Sequence, residues 1–149
     1  MVKQNDLINA IKLIIEDTFT SYPIYFNKCP DDFLRPSLLL KYVKLSQMDI
    51  NRANVEKTVS YIVTYFSTID NQLKADYHEL IEAQDSIVEQ FSVGHVSVGD
   101  RAIKLKLITG SMEEDRVNVE LQFEYTDNRT EQEEISPLAT TVNTKIEEV

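Results

Sequence analysis

The sequence predicts a single α+β domain: a mixed, mostly antiparallel sheet of about 4–6 strands packed by two amphipathic helices and closed by a long C-terminal β-hairpin. Three patterns carry that reading. From Arg116 to Thr126 the residues Val117, Val119, Leu121, Phe123 and Tyr125 alternate without a break with polar neighbours. Successive side chains of a strand point to opposite faces, so this run has one buried and one polar side. Two other stretches, Asp6–Phe19 and Asp70–Phe91, repeat their apolar residues every three and four positions, the spacing of a helix with one buried stripe.

In chain order, the first helix presents Leu7, Ile8, Ile11, Ile14, Ile15 and Phe19 on one side and Asn9, Lys12 and Glu16 on the other, with Asp6 placed to cap it. Pro23 stops it, Ile24–Phe26 reads as a short strand, and Lys28–Asp32 around Cys29-Pro30 as a loop. Leu38–Leu45 reads as a central strand entered after Arg35-Pro36, because proline at a strand start costs no interior ladder bond. Thr58–Ser67, rich in β-branched and aromatic residues, reads as a second strand at least partly covered on both faces, and polar Met48–Lys57 as a mobile loop between the two.

Asp70 is placed to cap the second helix, whose stripe would be Leu73, Tyr77, Leu80, Ile81, Ile87, Val88 and Phe91, and Gly94 ends it. Val96 and Val98 mark a short strand. Ile103, Leu105 and Leu107 are matched to pair with the alternating strand across a Gly110–Asp115 turn. The domain therefore spans 1–126. Residues 127–149 carry six acidic residues against Arg129 and Lys145 and read as a flexible acidic tail.

With 149 residues and 42% hydrophobic residues the chain can bury one ordinary core. The formal charge of −10 repels phosphate, which disfavours nucleic acid as a bound partner and also disfavours anionic membranes. The single cysteine, Cys29, cannot close an intrachain disulfide, and no apolar run is long enough to span a bilayer. Leu7–Ile15 contains Lys12 and lacks a small-residue cleavage site, so it reads as a helix and not a signal peptide. The expectation is a soluble product of the cell interior.

Each catalytic pattern fails on spacing or partners. His78-Glu79-Leu80-Ile81-Glu82 has Glu82 where a zinc-binding helix needs its second histidine. Gly94-His95-Val96-Ser97-Val98-Gly99 puts His95 where a nucleophile elbow needs glycine, and a strand follows where a helix should. Cys29 has no nearby base, and three glycines at 94, 99 and 110 make no phosphate loop. The adjacent carboxylates Asp31-Asp32 and Glu113-Glu114-Asp115 read as solvated turn charge, and Tyr61, Tyr65 and Tyr77 as packing residues. No catalytic residue, cofactor or metal is expected, and the chain is read as a non-enzyme.

The order of elements and three local phrases resemble one known family: Leu7-Ile8-Asn9-Ala10-Ile11 opening a helix, Ser21-Tyr22-Pro23-Ile24-Tyr25 entering a strand, and Leu34-Arg35-Pro36-Ser37-Leu38 opening the next. The chain is similar, over Leu7 to Tyr125, to the tail terminators of phages and phage-derived contractile particles of Gram-positive bacteria. The resemblance implies a subunit of a homo-hexameric ring on the head-proximal end of the tail tube. Such a ring ends tube polymerisation and joins the neck or the last sheath ring. It implies as partners the tail tube protein and a sheath or neck protein, with DNA only as passing cargo, and a route from bacterial host cytoplasm to the particle's tail. Segment 127–149 has no counterpart in that pattern. On the hairpin, Lys104, Lys106, Arg116, Glu120, Gln122 and Glu124 are the candidates for subunit or tube contacts, with simple solvent exposure as the alternative. The competing reading of the whole chain is a cytoplasmic, non-enzymatic adaptor module whose acidic tail recruits a basic partner.

Overall fold

The computed structural model describes residues 1–128, and the expected tail, apart from its first two residues, lies outside them. The order is α1 (Gln4–Thr18), β1 (Ile24–Phe26), β2 (Ser37–Asp49), β3 (Asn54–Phe66), α2 (Tyr77–Phe91), β4 (His95–Val98), β5 (Arg101–Met112) and β6 (Arg116–Asn128). The strands form one sheet in the order β1-β2-β3-β6-β5-β4. Only the β1–β2 pair is parallel. The predicted α+β class, with two helices and a closing hairpin, is what the chain adopts.

Register and parity explain the core. Tyr65, Val63, Tyr61 and Val59 of β3 stand opposite Val117, Val119, Leu121 and Phe123 of β6, and all eight are buried. Directly opposed residues share a face, so these pairs build one apolar floor. Both helices lie on it: α2 on β6, β5 and β3, and α1 on β4 and against α2. The helices bring Leu7, Ile11 and Ile15 from α1 and Leu80, Ala83, Ile87 and Phe91 from α2. The three tyrosine hydroxyls that reach the floor are matched, because an unpaired buried donor is costly. Gln4 bridges the Tyr61 and Tyr125 hydroxyls, and the Tyr65 hydroxyl donates to Glu79 at 2.8 Å.

Several expected boundaries move. The second helix starts at Tyr77, capped by Asp76, whose carboxylate accepts the His78 N–H at 3.0 Å. Asp70 instead caps a turn, accepting from Gln72 and Lys74 N–H groups, and Leu73 has a φ of +62° that no helix tolerates. Leu73 and Tyr77 are therefore exposed. The first helix begins one turn earlier than expected, so Asp6 lies in its first turn and Lys3 occupies the cap position.

The Met48–Lys57 loop is in fact a hairpin end: β2 continues to Asp49 and β3 starts at Asn54, in register down to Asp49 opposite Val55. It is polar because no helix covers it. Moreover, β2 is not central but second from the edge; β3 and β6 occupy the middle. The turn before β6 is shortened to Glu113-Glu114-Asp115. Leu107 is exposed because a bulge between Leu105 and Leu107 turns the remaining strand over, after which Ile108 faces the core. Finally, Asp127, expected in the tail, is a buried residue of β6.

Candidate assembly surface

The even-numbered residues of β6 point away from the helices, onto a sheet face that no helix covers. Reading across it, Thr58 and Lys104 flank Glu124, Ser60 and Leu107 flank Gln122, and Ile62 and Thr109 flank Glu120. Lys106, the bulged residue, reaches the Glu124 carboxylate at 3.3 Å. Five of the six candidate residues thus share one patch of β5 and β6. Arg116 sits apart, at the opposite end of β6, about 27 Å from Glu124 at the usual rise per residue.

At Arg116 the surface is better built than its neighbours. Asp115 accepts from Arg35 at 2.6 Å and from Arg116 at 2.8 Å. Arg116 lies 4.8 Å from the centroid of the Phe66 ring, and Arg35 lies over the rings of both Phe66 and Phe33. Hydrogen bonding from Arg116, outweighing the cost of burial and helped by Arg35, holds the Asp115 carboxyl at about 2. The loop carrying Phe33 and Arg35 covers this end of the face, with Phe33 and Phe66 centroids 4.7 Å apart.

Charge is divided between the two sides. The sheet face carries Lys41, Lys44, Lys104, Lys106, Arg116 and, over Phe66, Arg35 against Glu56, Glu120, Glu124 and Asp115. The helices carry Asp6, Glu16, Asp17, Glu79, Glu82, Asp85 and Glu89 against Lys12. The acidic surface is therefore the helical layer, while the bare sheet face is mixed.

Residues weighed for chemistry are scattered. His78 is exposed on α2, His95 is exposed on β4, and Glu79 is taken up by Tyr65 and Thr68. Burial pushes the Cys29 thiol up, away from the thiolate. Among the described residues no cluster of His, Cys, Asp or Glu is suited to a metal ion, and no helix is long and apolar enough to cross a membrane.

Sequence reasoning missed the second ionic group. Asp127 accepts the Val2 N–H at 3.0 Å and pairs with Lys57 at 3.3 Å, Arg101 at 3.4 Å and the N-terminal ammonium at 3.8 Å. Burial raises its pKa, but the Val2 and Asn128 N–H groups and Lys57 outweigh it and the net shift is downward. The signal was parity: Asp127 continues the inward odd positions of β6, and Lys57 continues those of β3.

Solved structures share this architecture; one of them matches with a TM-score of 0.54 and 12% identity over 89% of this chain and 100% of that chain, a likeness of fold alone. No curated protein matches the sequence. The family model described as "Phage tail terminator protein" matches residues 6–135, which takes in every strand and nearly all of both helices. A two-helix, six-strand domain with one layered face and one bare face is thus the form this sequence pattern takes, and the chain belongs to the phage tail terminator family.

Proposed function

We propose that this tail protein closes a homo-hexameric ring on the head-proximal end of the tail tube, ends tube polymerisation there, and offers its far side to a neck or sheath protein. The observation that carries the reading is the bare sheet face. A six-stranded sheet with helices on one side only leaves a broad, semi-rigid platform of mixed charge, suited to a protein partner and poorly suited to a phosphate backbone. Lys104, Lys106, Glu120, Gln122 and Glu124 form its centre and Arg116 its buttressed end.

Capping then follows from asymmetry. One side of the ring complements the open tube end, while the other lacks what a further tube ring would need. DNA is passing cargo, and the acidic helical layer is the surface that would let it slide without trapping it.

The test is microscopy of tails assembled with and without the chain. Deletion should give tubes of uncontrolled length, and the labelled protein should occupy one end of every tube. A double reversal, Lys104→Glu with Glu120→Lys, should weaken attachment to tubes without unfolding the domain. Tubes of normal length after deletion, with the protein monomeric and unattached, would favour a cytoplasmic adaptor.

A further inference from the structure

We propose that the uncharged run Ile135–Thr144 of this chain folds back as an added strand on the open edge of β4, seating in the groove between that edge and α1. The proposal stands apart from the ring reading and concerns how the chain closes one side of its own sheet.

The acceptor is a short strand whose outer hydrogen-bonding groups are unmet. β4 is the last strand of the sheet and pairs with β5 on one side only. The Gly94 carbonyl accepts from the Leu105 N–H at 2.9 Å, which fixes the alternation of this antiparallel pair. Val96 and Val98 turn their N–H and C=O groups toward β5, while His95 and Ser97 turn theirs outward. Both outward residues are exposed, and no described residue bonds those backbone groups. Two cavities of about 540 and 510 Å³ run along this edge and share Ala10, Leu13 and Ser97, so they form one groove. Its apolar wall includes Leu13, 66% exposed, and Val93, 69% exposed. Free backbone groups beside an apolar wall are the two parts of a strand-addition site.

The occupant follows from where β6 ends. Arg101 donates to the Thr126 carbonyl at 2.6 Å, pairs with Asp127 at 3.4 Å and lines the groove itself. The chain therefore passes Asn128 at the groove's mouth with residues 129–149 still to come. β4 runs toward that mouth, so a segment returning along it is antiparallel.

Charge selects which part of 129–149 fits. The groove carries Asp6, Asp17 and Asp100, and its Arg101 is held by Asp127. Glu131, Glu133 and Glu134 are repelled there, whereas the residues from Ile135 to Thr144 bear no charge. Leu138, Thr140, Val142 and Thr144 fall on one parity of that run and are types suited to strand pairing. Lys145 is the first charge after it, and Asp17 stands at the groove's far end. Residues 129–134 form a tether of at most about 20 Å. So short a tether sets an effective concentration on the order of millimolar, which favours the chain's own segment over that of a second copy.

Two measurements on the full chain test this. Hydrogen exchange should find the His95 and Ser97 amides protected. Leu138→Asp with Val142→Asp should speed their exchange about tenfold, while the Leu105 amide, bonded within the sheet, stays unchanged. In a Cys29→Ser background, Leu13→Cys with either Leu138→Cys or Val142→Cys should close an intramolecular disulfide on mild oxidation. Met48→Cys with Val142→Cys is the control, because Met48 lies outside the groove yet stands opposite Glu56, two residues from the Asn54 that faces Asn128. It should close about tenfold more slowly. Equal exchange of the His95 and Ser97 amides in both chains would overturn the contact, as would closure of neither Leu13 pair faster than the control. Linked dimers in place of the closed monomer would also overturn it and give the groove to a neighbouring copy. None of these results bears on the cap at the tube end, which deletion of the whole chain tests.

Discussion

Asp115, in the turn that enters β6, and Asp127, near that strand's far end, each gather two cationic side chains, yet they face opposite sides of the sheet. Asp115 joins Arg35 and Arg116 on the bare face, with its side chain 22% exposed and both guanidinium groups resting on Phe66. Asp127 joins Lys57 and Arg101 on the helix side, with its side chain 1% exposed. The first is a surface clamp whose cations keep other contacts when the carboxylate goes. The second holds a lysine that is 8% exposed and ties the N-terminal segment to the last strand. The same charges therefore differ in consequence because water can replace one carboxylate and cannot replace the other.

Removing the buried carboxylate is the sharpest way to break that comparison. Asp127→Ala leaves Lys57 desolvated without its partner and frees the Val2 N–H. A loss of about 3–5 kcal/mol is expected, the usual cost of breaking one side of a buried pair. Urea denaturation of the purified chain checks it. A loss no larger than that of Asp115→Ala would mean that water reaches the site.

Lys57→Met in the Asp127→Ala background should return part of that loss, about 1–3 kcal/mol, because an apolar side chain needs no partner there. The recovery should be incomplete, since Arg101 and the Val2 N–H still lack their acceptor. Full recovery would assign the whole effect to the lysine.

How far these features were legible in the sequence depends on whether burial or exposure shaped the pattern. The alternation of β6 was readable because its odd residues line a core that admits only apolar side chains. Asp127 broke that rule at its last step, where acidity looked like the start of a tail although its parity placed it inward. The β2–β3 end was misread for the opposite reason: strands that project past the helices carry polar residues and resemble a loop. Leu107 was misplaced because a bulge leaves no mark in composition. The six face residues were legible as a strand pattern, but the grouping of Asp115 with Arg35, eighty positions apart, exists only in the fold.

Acid should sharpen the comparison at the exposed end. The folded pKa of Asp115 lies at about 2, below its usual value of 3.8, so its stabilisation is complete above pH 4 and is lost as the pH falls toward 2. Partial exposure limits the effect to about 1–2 kcal/mol. Asp115→Asn should therefore narrow the difference in stability between pH 5 and pH 2.5 relative to the unsubstituted chain. An unchanged pH dependence would show that the clamp contributes no linked stability.

The smallest effect is expected where the same kind of pair is open to water on both sides. Lys106 meets Glu124 at 3.3 Å, but the lysine side chain is 52% exposed and sits on a bulge that already turns it outward. A solvent-screened pair of this kind contributes roughly 0–1 kcal/mol. Lys106→Ala should leave the urea midpoint nearly unchanged while removing a cation from the bare face. Because stability is then held constant, any loss of attachment to tail tubes by this variant reports the surface itself; a large loss of stability instead would place Lys106 in the fold and take it out of the contact.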